Sequence, residues 1–122
     1  MLVADDVRSA FTLTGVLERQ GAVVSHAEDM REALERFVEG SAVSAVVVDA
    51  ERLTSSSEEP LRYLLERRGR VPVIALTSLA RPPTERVAAL LAEVTQLAKP
   101  VDPAELVSLL RRAVAQAQPL QR

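Results

Sequence analysis

The sequence predicts an α/β domain: a five-stranded parallel sheet, doubly wound, with five helices. Three observations predict it. Short apolar runs alternate with stretches of helical periodicity five times, joined by short connections, a pattern that calls for a parallel sheet covered on both faces. The run Ala45-Val46-Val47-Val48 is apolar throughout instead of alternating, as a strand buried on both faces requires. The chain has 122 residues, enough for one core and too few for two.

Met1 to Val3 is an apolar run that stops at Ala4-Asp5-Asp6 and reads as the first strand. Ala10, Phe11, Leu13, Val16 and Leu17 recur at helical spacing, so the first helix spans roughly 7–20 and stops at Gly21. Ala22-Val23-Val24-Ser25 is the second strand. Asp29 caps the second helix, with Glu32 as its capping-box partner three residues on. Ala33, Leu34, Phe37 and Val38 form its apolar face and Gly40 its end. The third strand lies within 42–49. Arg52 to Glu59 is polar and Ser-rich and reads as one long loop. Pro60 suits the first turn of the third helix, which carries Leu61, Leu64 and Leu65 and ends at Gly69.

Val71 to Thr77 is the fourth strand, with Pro72 near its start, where proline is tolerated. Thr84 caps the fourth helix after Pro82-Pro83, with Val87, Ala88, Leu90 and Leu91 directed inward. Thr95 to Ala98 is the fifth strand, followed by Lys99-Pro100. Asp102-Pro103 opens the last helix as a cap followed by proline at the first helical position. Leu106, Val107, Leu109, Leu110 and Val114 line it. The expected domain covers 1–116, with 117–122 as a C-terminal tail.

Composition removes several classes of function. The only aromatics are Phe11, Phe37 and Tyr63, so the core is built from Val, Leu, Ala and Ile. A net charge of -2 offers no basic footprint for nucleic acid. The absence of Cys rules out disulfides, a thiolate nucleophile and thiolate metal sites. No apolar run reaches the roughly 18 residues of a membrane span, and no signal-peptide pattern opens the sequence, so a cytoplasmic location is expected. His26 is the single histidine and is expected in a solvated loop just past the second strand, so a metal site would use oxygen ligands.

The chemistry gathers at strand ends. Asp5 and Asp6 follow the first strand, Asp49 ends the third, Thr77 ends the fourth and Lys99 follows the fifth. In a parallel sheet these ends face one edge, where ligands bind. Carboxylates suit a hard cation such as Mg²⁺, which neutralises charge on a transferred phosphoryl group. Asp49 is then a nucleophile that forms an acyl phosphate, with Thr77 and Lys99 holding the phosphoryl oxygens. Taken singly, each residue has a plainer role: a turn-forming Asp, a packed Thr, a surface Lys-Pro.

The whole chain resembles the receiver domain of two-component response regulators, the CheY-like, flavodoxin-like fold with strand order 2-1-3-4-5. The resemblance is carried by the acids after the first strand, by Val46-Val47-Val48-Asp49, by Pro72 to Thr77, by Lys99-Pro100 and by Asp102 to Leu106. The stretch Asp6-Val7-Arg8-Ser9-Ala10-Phe11, with Leu13-Thr14 and Leu17-Glu18, is similar to receivers attached to hybrid histidine kinases. The resemblance implies that Asp49 accepts a phosphoryl group from a histidine kinase or histidine phosphotransfer protein, with Mg²⁺ bound, and that Thr77 and Lys99 sense it. It implies metal ligation by Asp5, Asp49 and the backbone carbonyl of Glu51, with Asp6 assisting from the side. It also admits a homodimer, through apolar residues of the last two helices.

Four features depart from that family. Asp5 precedes Gly21 by sixteen residues, about the family's spacing for the acid that ligates the metal directly, so the other member of the acidic pair is Ala4 and the cation is expected to bind weakly. Leu53 and Ser57 stand about where the family has Pro and Gly after the acceptor. Gln96 replaces the switch aromatic three residues before the lysine. Leu91-Ala92-Glu93 replaces a Gly-containing turn. These departures support an alternative: a degenerate pseudo-receiver, a protein-interaction module independent of phosphorylation. A small hydrolase with nucleophilic Asp49 and Glu51 as acid/base would need a cap or substrate-binding segment, for which 122 residues leave no room.

Overall fold

A computed structural model describes residues 2–3, 14–21, 25–39, 43–78 and 82–117. Five strands form one sheet: β1 (Leu2–Val3), β2 (His26–Ala27), β3 (Val46–Asp49), β4 (Val73–Thr77) and β5 (Thr95–Ala98). They lie in the order β2-β1-β3-β4-β5, every neighbouring pair parallel, which is the expected topology. The helices are α1 (residues 14–19), α2 (Met30–Val38), α3 (Glu58–Arg67), α4 (Glu85–Leu91) and α5 (Pro103–Ala117). The expected start of the first helix and the end of the tail fall outside the described residues.

Caps and stops appear where the residue chemistry places them. Asp29 Oδ1 accepts from the Glu32 amide at 2.8 Å, and Thr84 Oγ1 accepts from the Val87 amide at 3.3 Å. Asp102 Oδ1 accepts from the Ala104 amide at 2.9 Å, one bond ahead of Pro103, which has no N–H to satisfy. Gly21 and Gly69 follow α1 and α3 with φ of 91° and 58°, a region that side chains disfavour.

The side-chain alternation of the two central strands builds two cores. Val46, Val48, Val73 and Ala75 face one side and pack with Met30 and Ala33 of α2, Leu61 and Leu64 of α3, and Val87 and Leu91 of α4. Val47, Ile74 and Leu76 face the other side and meet Leu106, Leu109 and Leu110 of α5. β3 is buried on both faces, so it can be apolar throughout. Leu64 is fully buried in the close-packed core on the α2–α3–α4 side of the sheet. Leu64→Ala is expected to cost about 2–5 kcal/mol through lost burial and the cavity left behind. Urea unfolding reads this as a lower midpoint with an unchanged slope; half-buried Leu65→Ala should lose less.

Three expectations are corrected. The second strand, as described, is His26–Ala27, with Ala27 opposite Val3 of β1; residues 22–24 of the expected strand lie outside the described residues. His26 therefore belongs to β2, half-buried, with its carbonyl held by Arg36 Nη1 at 2.8 Å. The Ser-rich stretch is ordered: a 3-10 turn, Ala50–Arg52, leads into it, a second, Ser55–Ser57, lies within it, and α3 begins at Glu58. A reciprocal pair of hydrogen bonds between Thr54 and Ser57 organises the second turn, which explains its hydroxyl-rich composition. Val38 and Ala88 are exposed, because a short helix buries only the stripe that meets the sheet.

Candidate functional site

Parallel strands bring their carboxyl ends to one edge, and the register decides what meets there. Val3 pairs with Val48, Asp49 with Leu76, and Thr77 with Ala98. Asp49 is the only buried charged residue among those described, with 4% of its surface exposed. Its Oδ1 accepts from the Glu51 amide at 3.2 Å, so the carboxylate caps the 3-10 turn that follows β3. That bond fixes the side chain and bends the chain back over the strand end.

Lys99 is positioned by its backbone. Its amide donates to the Thr77 carbonyl at 2.8 Å, which extends the β4–β5 ladder one step beyond Ala98. From there the side chain must cross β4 to reach β3, two strand spacings or about 10 Å. A long unbranched side chain can span this gap. Lys99 Nζ lies 2.8 Å from Asp49 Oδ1 and also 2.8 Å from Glu51 Oε2. The Lys99 side chain is three-quarters buried, and its ammonium is shared between two carboxylates. Thr77, half-buried, ends the intervening strand. The peptide bond from Lys99 to Pro100 is cis.

Burial works against the Lys99 ammonium, but the hydrogen bonds and charges of Asp49 and Glu51 outweigh it and hold its pKa above the ordinary lysine value. The three groups together carry one net negative charge, and the cation between the two carboxylates offsets their repulsion.

Of the sequence-predicted site residues, Asp49 and Lys99 are in direct contact, Thr77 lies on the strand between theirs, and Glu51 joins them. Asp5 and Asp6 lie outside the described residues, as does Ala4. Among the described residues no cluster of three or more acids, histidines or cysteines could hold a metal by itself; the Asp49 carboxylate and the Glu51 backbone carbonyl could supply oxygen donors. What the sequence reading did not foresee is the ion pair between Glu51 and Lys99. Its signal is the spacing of two residues after Asp49, which a tight turn folds back toward the strand end. Gln96 is also better defined: its Nε2 donates to the Leu91 carbonyl at 2.9 Å and ties β5 to the end of α4. The Leu91-Ala92-Glu93 turn closes without a glycine, because no non-glycine residue described here needs a positive φ.

Comparison with solved structures bears on this arrangement. A response regulator receiver domain protein (CheY-like) from Methanospirillum hungatei JF-1 superposes with a TM-score of 0.78 at 17% identity, covering 96% of this chain and 94% of that one. The chain has the receiver fold. A receiver protein from Sinorhizobium medicae WSM419 gives 0.78 at 18% identity, with 96% and 94% covered. A receiver domain protein from Clostridium thermocellum gives 0.75 at 24% identity, with 94% and 92% covered. The match is thus to whole receiver domains, end to end. No protein-family model matches the chain, and no curated protein matches it. The fold is shared at a sequence distance where the site must be argued from its own residues.

Proposed function

We propose that this receiver fold is a phosphoacceptor module of a two-component or phosphorelay system, in which Asp49 takes a phosphoryl group from a histidine kinase or histidine phosphotransfer protein. The observation that carries this reading is the 2.8 Å contact of Lys99 with Asp49 across β4, at the carboxyl edge of a parallel sheet. A Lys held against a buried Asp by a two-strand span is costly to build for stability alone, since an apolar pair would serve as well.

In the transfer, an Asp49 carboxylate oxygen attacks phosphorus, the O–P bond forms and the P–N bond of the donor phosphohistidine breaks, its electron pair leaving on the imidazole. Lys99 offers charged N–H donors, and Thr77 a hydroxyl, to the oxygens of the transferred group. Glu51's amide holds the Asp49 carboxylate in place. Slow hydrolysis of the acyl phosphate returns the site to its starting state.

The donor set is all oxygen, which fits a hard divalent cation. Mg²⁺ would be held by Asp49, Asp5 and the Glu51 carbonyl, with Asp6 from the side, and would neutralise charge on the phosphoryl oxygens. Its binding is expected to be weak, because Ala4 stands where a second acid would. Ala4→Asp should tighten Mg²⁺ binding on the order of tenfold, read by calorimetry. No change would mean that Asp5 and Asp6 are the working pair. We also place this exchange in the cytoplasm, within a larger hybrid-kinase-like assembly or beside one, as the Asp6 to Phe11 stretch suggests.

The test is a titration with beryllofluoride and Mg²⁺ followed by amide shifts. Shifts centred on Asp49, Thr77 and Lys99 support the reading. Silence at millimolar Mg²⁺ would hand the chain to the second reading, a phosphorylation-independent interaction module. The Gln96 side chain favours that second reading: bound to the Leu91 carbonyl, it serves the α4–β5 turn instead of moving behind Thr77.

A further inference from the structure

We infer that the Glu51 carboxylate is a built-in competitor for the phosphoryl group, occupying the Lys99 ammonium that an incoming anion needs. The inference rests on the phosphoacceptor reading and names how that same site is restrained. Lys99 Nζ touches Asp49 Oδ1 and Glu51 Oε2 at equal distances of 2.8 Å. An ammonium has three donors, and here two are committed to carboxylates. Lys99 is only a quarter exposed, so little of its surface is left for a third anion. Glu51 is equally buried and brings a full negative charge to the place where phosphoryl oxygens would collect.

Two consequences follow. To bind a phosphoryl oxygen, Lys99 must give up or share Glu51, so part of the binding free energy is spent on breaking an existing ion pair. The displaced carboxylate then repels the group that displaced it, unless it turns toward solvent. The site therefore resists loading with small phosphate-like anions and releases them readily. Both effects come from the charge of Glu51, since its hydrogen bond to Asp49 Oδ1 uses only the Glu51 backbone amide.

The variant that separates charge from shape is Glu51→Gln, nearly isosteric and uncharged, with Glu51→Ala beside it. Beryllofluoride affinity is measured by calorimetry on the whole chain at saturating Mg²⁺, and Mg²⁺ affinity is measured separately without beryllofluoride. Both variants are expected to bind beryllofluoride tighter than the wild type, on the order of tenfold at low salt. The advantage should shrink as ionic strength rises, which a mere packing change would not produce. Mg²⁺ affinity should fall only modestly, by the loss of one nearby charge, and that small fall should vanish at high salt. Equal or weaker beryllofluoride affinity in Glu51→Gln overturns the inference while leaving the phosphoacceptor reading intact. A large fall in Mg²⁺ affinity that persists at high salt also overturns it, by assigning the carboxylate to the metal as a ligand. Absence of beryllofluoride binding in wild type and both variants overturns the phosphoacceptor reading itself, and the inference with it.

Discussion

Asp49→Asn is expected to lose phosphoryl uptake from acetyl phosphate by roughly a hundredfold or more, because an amide oxygen is not a competent nucleophile for an acyl phosphate. Intact-mass measurement after incubation with acetyl phosphate and Mg²⁺ checks it. The substitution is a clean test because it spares the local structure. The Asn side-chain oxygen can still accept from the Glu51 amide, so the 3-10 turn after β3 keeps its cap. Lys99 also keeps Glu51 as a partner at 2.8 Å and is not left buried without a counter-charge. The stability cost is then limited to one charge-assisted hydrogen bond, about 1.5–3 kcal/mol. A variant that folds, with its amide spectrum otherwise intact, yet takes up no phosphoryl group would locate the acceptor at Asp49. Retained uptake would move it elsewhere.

Lys99→Met should damage both stability and the response to ligand. Methionine keeps much of the length and apolar contact of the lysine stem but removes the charge that joins two carboxylates. Asp49 and Glu51 would then face each other at low solvent exposure with no cation between them. Stripping one partner from a fully buried pair costs about 3–5 kcal/mol, and the partial exposure of Lys99 reduces this to about 1–3 kcal/mol.

The pH dependence identifies the cause. In the folded protein the Lys99 pKa is raised, so its contribution to stability is fully present below its ordinary value of 10.5 and is lost as pH climbs through the higher folded value. Wild type and Lys99→Met should therefore differ in urea midpoint at neutral pH and converge in strongly alkaline solution. A difference that persists unchanged there would point to packing instead of charge. The same variant should lose its amide response to beryllofluoride, since no ammonium remains to hold the ligand.

How much of this could be read from residues alone depends on the range of the interaction. The caps at Asp29, Thr84 and Asp102 and the stops at Gly21 and Gly69 act within four residues of themselves, and each appears where it was expected. The sheet order was legible too, through its resemblance to a known fold. The place of His26 was not: it reads as a loop residue, and only pairing to β1, a long-range choice, puts it in a strand. The Ser-rich stretch read as loop because polar composition does not distinguish an irregular loop from turns closed by hydroxyls. Val38 and Ala88 carry apolar labels without a register against the sheet, so their exposure could not be read.

By itself, the sequence determined the alternation of strands and helices, with His26 falling inside β2 instead of just past it. It also placed Asp49, Thr77 and Lys99 at strand ends, because propensity, capping and apolar runs are local properties. Only the tertiary structure decided that the Lys99 side chain crosses β4 to reach Asp49. It alone decided that Glu51 turns back onto the same ammonium and that Gln96 ties β5 to α4. Those contacts join residues brought together by strand register and turn geometry, and a distance of 2.8 Å between charges nearly fifty positions apart is a property of the packed sheet.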